Sequence, residues 1–162
     1  MKIMVFDIGG TDVKYSIVDD ELNMPISGKF PTPKVKGSQA KTMWDGEGLD
    51  VAYDDFLNRL KEVYDKYGAD TDGIAMSLPG FIDNAKGRQC GGGAIPYIIR
   101  RNIGMDLSER CGCPVKIAND GKCAAMAEKM SGSLKNCGNA GVFIIGTGVG
   151  GGLIIGDRII NG

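Results

Sequence analysis

The chain carries one glycine-rich phrase twice. Residues 5–20 read VFDIGGTDVKYSIVDD and residues 142–157 read VFIIGTGVGGGLIIGD. Aligned without a gap, both run Val-Phe-x-Ile-Gly, pass a glycine and threonine turn, and re-enter an apolar run. Ile17-Val18 then lies over Ile154-Ile155 and Asp20 over Asp157. Apolar runs on either side of a glycine turn predict a strand, a tight turn and a returning strand. Each copy is therefore a hairpin whose turn carries little side-chain bulk, and two such turns suit two loops that face one phosphate chain. The second copy opens only about twenty residues before Gly162, so the pattern reads as one half of a two-lobed protein and the opening of the other.

At 162 residues the chain can bury one substantial core. Its 26 glycines are about twice the usual share, and they sit at separate turns rather than in one tract. The net charge is −1 with no basic block, so there is no electrostatic footprint for nucleic acid. No signal-peptide pattern opens the sequence and no apolar run is long enough for a membrane span, which leads us to expect a cytoplasmic protein. Cys90, Cys111, Cys113, Cys123 and Cys137 make an odd set and read as free thiols. Histidine is absent. Ser-His-Asp triads and histidine metal sites are thereby removed, and acid–base chemistry falls to carboxylates, lysine, tyrosine or cysteine.

Lys2–Ile8, Val13–Val18 and a stretch near Ile26–Phe30 predict three strands in meander order. Residues 34–48 are polar and irregular, a loop or lid. Val51, Phe56, Leu57, Leu60, Val63, Tyr64 and Tyr67 fall near one helical stripe, ended by Gly68. Ile74–Leu78 reads as a strand closed by Pro79-Gly80, and residues 81–93 as loop or hairpin. Asp106 with Glu109 has the spacing of a capping box for a short helix stopped by Gly112. Val115–Ala118 is a further strand, Asn119-Asp120 opens a helix to about Met130, and Gly141–Ile145 begins the second hairpin. This order of three strands, helix, strand, helix, strand, helix is that of an RNase H-like α/β lobe with a mixed sheet. Doubled, it makes the sugar-kinase and actin architecture. We accordingly expect one lobe over 1–118, with 119–162 holding a helix and the first hairpin of an incomplete second lobe.

Asp7 stands in an apolar strand immediately before Gly9-Gly10-Thr11. A buried carboxylate there needs a partner, either hydrated Mg²⁺ beside phosphates or the turn's own backbone. Gly9-Gly10-Thr11 and Gly146-Thr147-Gly148 offer N–H groups and a hydroxyl with no Cβ bulk, though glycine is also the ordinary hairpin-turn residue. Gly146, Gly148 and Gly151 satisfy G-x-G-x-x-G, but that fingerprint needs a helix after the turn, and an apolar strand follows here. No Gly-Lys-Ser/Thr occurs to form a Walker loop. Asn119-Asp120 is either a plain helix cap or the site of a general base, Asp120. Pro79-Gly80 is either an ordinary strand-ending turn or part of a binding edge.

Taken together, FDIGGT at 6–11, SLPGFID at 77–83, AIPY at 94–97, ANDGKCAAMAE at 118–128 and GTGVGGG at 146–152 resemble the ROK family (repressor, open reading frame, kinase), which includes bacterial glucokinases. The resemblance covers essentially the whole chain. It implies a two-lobed kinase that transfers the γ-phosphoryl group of ATP to a hexose in the cleft. By position it makes Asp7, Gly9, Gly10 and Thr11 the first phosphate loop, with Asp7 meeting Mg²⁺ through water. Gly146, Thr147, Gly148 and Gly150 become the second loop, and Asp120 the catalytic base. Asn119, Asp120, Pro79 and Gly80 would hold the sugar.

The chain also departs from the family pattern. Asp12 replaces the family's usual long residue after GGT and adds negative charge near the phosphates. The family's sugar-gripping Glu-x-x-His segment and its cysteine-rich zinc segment are both expected beyond Gly162, and Cys111-x-Cys113 is not the latter. The 162 residues alone are therefore expected to be inactive, with an exposed last hairpin that invites a homodimer. The alternatives are a sugar-responsive repressor of the same family, disfavoured by a first strand at Lys2, and a non-catalytic actin-like ATP-binding module.

Overall fold

The computed structural model describes residues 1–35, 46–145 and 149–160. The chain forms two compact units, Met1–Ile117 and Ala118–Gly162.

The first unit is built on a mixed sheet. Strands β1 (Lys2–Ile8), β2 (Asp12–Asp19) and β3 (Ile26–Pro31) form an antiparallel meander, and β4 (Ile74–Leu78) runs parallel to β1. The order is β3-β2-β1-β4-β7, where β7 is Val115–Asn119 and runs on into the second unit. Side chains alternate faces along a strand. Met4, Phe6 and Ile8 of β1 thus share a buried face with Val13 and Ile17 of β2 and with Ile74, Met76 and Leu78 of β4. Helix α1 (Gly46–Tyr67) covers this face with Tyr53, Phe56, Leu57, Leu60 and Tyr64. Those positions fall at i, i+3, i+4, i+7 and i+11 and so form one stripe. Val51, expected on the stripe, points to solvent, and Ala52 and Tyr53 are buried instead.

Most of the loop or lid expected over 34–48, positions 36–45, lies outside the described residues. Positions 46–48 are helical, since α1 begins one turn earlier than its apolar periodicity indicates. Leu49 packs on the core and Asp50 pairs with Arg101, so tertiary contacts draw the helix back through two weak glycine positions. A short hairpin, β5 (Phe81–Asp83) with β6 (Arg88–Gly91), leads to a 3₁₀ turn at Pro96–Ile98.

Helix α2 (Ile103–Cys111) corrects the capping-box reading. It begins at Ile103 after Asn102, whose side chain makes no cap bond, so Asp106 lies inside the helix. Ile103 and Leu107, one turn apart, are both fully buried, and burying Ile103 extends the helix past the expected start. The Asp106 carboxylate instead accepts the Tyr53 hydroxyl at 2.5 Å. The stop is as expected, with Gly112 at φ 67° in the left-handed region.

In the second unit α3 (Asp120–Ser131) packs on a three-stranded sheet in the order β10-β9-β8. The strands are β8 (Ala140–Ile145), β9 (Val149–Ile155) and β10 (Arg158–Ile159). The turn between β9 and β10 is Gly156-Asp157, both with positive φ, as a two-residue hairpin requires. Two glycines seat the helix. A Cβ on Gly121 would lie 2.6 Å from the Gly151 nitrogen, and one on Gly152 would lie 2.7 Å from the Ala125 Cβ. Ile154 is fully buried. Phe143, Ile145 and Val149, on the opposite sheet face by register, are 82%, 84% and 78% exposed, so that face is apolar and uncovered.

The two hairpins are alike in letters and differ in register. In the first, Ile8 faces Val13; in the second, Ile145 faces Val149. The gapless alignment would set Ile145 against Gly150. The second connection is thus one residue shorter, and connection length sets register. The returning strand is offset by one position against its partner.

Candidate active site

The first glycine turn is held from three sides. Gly9 N–H donates to the Asp12 carbonyl at 3.1 Å, and a Cβ on Gly9 would come within 2.9 Å of that oxygen. The turn's own closure therefore requires Gly9. Thr32, only 4% exposed, donates its hydroxyl to the Gly9 carbonyl at 2.7 Å, while its N–H donates to the Thr11 carbonyl at 2.9 Å. Gly10 approaches the Ala94 methyl, 3.3 Å from where its own Cβ would stand. Behind Thr32, Pro33 is fixed by the Tyr97 hydroxyl, which donates to its carbonyl at 2.8 Å. Thr32 was not singled out from the sequence, and Tyr97 stands in the AIPY segment without an assigned role. The one available signal was a threonine flanked by prolines, in Pro31-Thr32-Pro33, after the third strand.

Asp7 is exposed rather than buried. Phe6 and Ile8 take the α1 face, so Asp7 takes the other, where its register neighbours are Lys14 and Ser77. No burial cost obliges it to find a partner. Among the described residues its carboxylate makes no hydrogen bond into the turn, which leaves the backbone-anchor alternative without support. Asp12 lies against Lys29, with Oδ2 and Nζ 3.1 Å apart. An exposed pair of this kind contributes less than about 1 kcal/mol, but it offsets the negative charge that the sequence places beside the turn.

At the end of β4 the Pro79-Gly80 turn has Gly80 at φ +96°, a conformation that disfavours any side chain. Gln89 is fully buried against it.

In the second unit Asn119 is the N-cap of α3, its Oδ1 accepting the Lys122 N–H at 3.1 Å. Asp120 is the first helical residue and is exposed. Its Oδ1 accepts from Gly121 N–H at 2.8 Å and from the Asn119 amide at 2.9 Å. Asn119 thus caps the helix, and Asp120 is oriented through Oδ1, with no hydrogen bond to its Oδ2 among the described residues. Gly146, Thr147 and Gly148 lie outside the described residues. Gly150 is the second residue of β9, and a Cβ there would meet nothing within 4 Å. Gly151 and Gly152, by contrast, are required by packing. A strand follows the second turn, as the rejection of the dinucleotide fingerprint expected.

The description "ROK family" matches residues 3–162. The chain is similar to the beta-glucoside kinase of Listeria monocytogenes, 32% identical over 162 residues, covering 100% of this chain and 49% of that protein. It superposes on a ROK family protein from Streptococcus pneumoniae in complex with sucrose, with TM-score 0.79 and 29% identity over 100% of this chain and 48% of the other. A ROK hexokinase from Thermus thermophilus gives TM-score 0.74 and 25% identity over 100% and 50%. The chain spans about half the length of the curated relatives it matches. Its fold is the mixed-sheet, RNase H-like α/β fold of these sugar kinases, as the order of elements along the chain predicted. The chain belongs to the ROK family.

Proposed function

We propose that this chain is part of an ATP-dependent sugar kinase, with 1–118 as its N-terminal lobe and 119–162 as the opening of its second lobe. The carrying observation is Asp120. It is exposed at the first position of a helix, and both of its hydrogen bonds fall on one carboxylate oxygen. The free oxygen would accept the proton of a hexose hydroxyl as that hydroxyl attacks the γ-phosphorus. Asn119, Pro79 and Gly80 would hold the sugar. Asp7, Gly9, Gly10 and Thr11, with Gly146, Thr147, Gly148 and Gly150, would hold the phosphates of ATP.

Asp7 fits an outer-sphere role toward Mg²⁺, since its exposed carboxylate stands beside the turn and is not spent on it. The ion would supply charge neutralisation at the phosphates. No residue of this chain is assigned to the family's zinc segment. The beta-glucoside kinase and hexokinase names of similar proteins support a sugar substrate, with a hexose as the finer reading. A cytoplasmic location and the lack of nucleic-acid or membrane partners are part of the same reading. Among the described residues no helix is long and apolar enough to cross a membrane. The uncovered apolar face of β8 and β9 supports self-association of this chain as a homodimer. The 162 residues alone are expected to turn over no sugar.

The test is Asp120→Asn in the full-length protein. The expected result is a fall of about 10²–10⁴ in kcat with hexose affinity retained. A kcat within threefold of wild type would reduce Asp120 to a helix-start residue.

A further inference from the structure

Gln89 and Thr32 are the buried polar side chains of the described core, and Gln89 is fully enclosed. Its amide is spent entirely on main chain. Nε2 donates to the carbonyls of Gly91 at 3.0 Å and Gly92 at 2.8 Å, while Oε1 accepts the Arg100 N–H at 3.2 Å. The same amide lies directly against Gly80. A Cβ on Gly80 would come within 2.4 Å of Nε2 and 2.7 Å of both the Gly91 and Gly92 oxygens. On the far side of this contact Gly93, at φ +88°, fits against Pro79, with 3.0 Å from its ideal Cβ position to the Pro79 carbonyl carbon. The Pro79-Gly80 and Gly91–Gly93 turns thus pack closely on each other, with the Gln89 amide hydrogen-bonded to the second and lying against the first.

A leucine would fill this space but leave the Gly91 and Gly92 carbonyls and the Arg100 N–H without this partner, so the amide is there for its hydrogen bonds and not for its bulk. β5 and β6 are three and four residues long, with a register shift at Phe81/Ile82. Strands that short hold their turn weakly by themselves. A satisfied buried polar network specifies one conformation where apolar packing would allow several.

We propose that Gln89 is a positioning residue for the sugar, fixing the shape in which the Pro79-Gly80 turn meets a hexose. This rests on the reading of that turn as a sugar contact.

The test is made on the full-length protein with glucose, mannose and N-acetylglucosamine as probes. Gln89→Leu keeps the volume and removes the bonds. The expected result is a sugar KM raised at least tenfold, with the ATP KM and kcat within twofold of wild type. Gln89→Glu sets a carboxyl group against two carbonyls. Protonated, it can donate one bond; ionised, it is repelled. Its sugar KM relative to wild type is expected to rise as pH increases from 5 to 9, a response that a purely structural residue would not give. An unchanged sugar KM in Gln89→Leu overturns the proposal, as does a parallel rise of the sugar and ATP values. If Gln89→Leu does not fold, a flat pH response in Gln89→Glu overturns it. A wild type that phosphorylates none of the sugars overturns the kinase reading itself, and this is seen in the wild-type arm alone.

Discussion

The Thr32 hydroxyl donates to the Gly9 carbonyl across 2.7 Å, tying the segment after β3 to the first glycine turn. The donor is buried and both of its polar groups are spent on this turn, since the Thr32 N–H also holds the Thr11 carbonyl. The shape of the proposed phosphate loop therefore depends on a residue more than twenty positions away.

Thr32→Val keeps the volume and deletes the hydroxyl, which leaves the Gly9 carbonyl without that donor. We expect a loss of about 1–3 kcal/mol of stability, and Thr32→Ser should recover most of it. Urea unfolding of the three proteins measures this. Equal midpoints for wild type and the valine variant would show that the bond adds nothing.

Tyr53 gives a pH prediction. Burial first, and then its hydrogen bond to the Asp106 carboxylate, hold the phenol well above its ordinary value near 10. Burial raises Tyr97 in the same direction. A group whose native pKa is raised contributes stability in full below its unfolded pKa and loses it as pH climbs toward the native value. The unfolding free energy should therefore fall steeply above about pH 10. In Tyr53→Phe that fall should be shallower. Denaturant titrations between pH 8 and 11.5 compare the two slopes, and identical slopes would remove Tyr53 from the account.

The uncovered face of β8 and β9 predicts association. Phe143 and Ile145 point outward by register, and each is more than four-fifths exposed. Exposed apolar surface of this kind drives self-association. Sedimentation of the 162-residue chain at tens of micromolar should show a dimer, and Phe143→Lys with Ile145→Lys should return it to monomer. A wild-type chain that sediments as a monomer throughout would end the homodimer proposal.

The legible parts of this molecule are those that local chemistry decides. The apolar runs of β1 and β2 on either side of a glycine turn, the helical stripe from Phe56 to Tyr64, Gly112 as a stop signal and Asn119-Asp120 at a helix start all act within one or two turns of chain. The misread parts share a different cause. Asp7 was taken as buried because its neighbours are apolar, yet only one face of β1 packs on α1, and Asp7 belongs to the other. Asp106 has capping-box spacing, but the core's demand for Ile103 moved the helix start upstream. Thr32 and Gln89 carry no motif, because a buried polar residue is recognised by what encloses it.

The repeated glycine phrase marks the division. By itself the sequence determined that there are two hairpins, since apolar runs and glycine turns are read over a few residues. It also carried the spaced motifs that mark the family. Tertiary structure decided what each glycine is for: Gly9 closes its own turn, Gly121 and Gly152 let α3 settle on β9, Gly151 lies close against β8, and Gly150 stands clear of all of them. It also set the second hairpin one residue out of step with the first. The physical reason is range. Backbone preference acts between neighbours, whereas close approach and register depend on segments that meet only when the chain has folded.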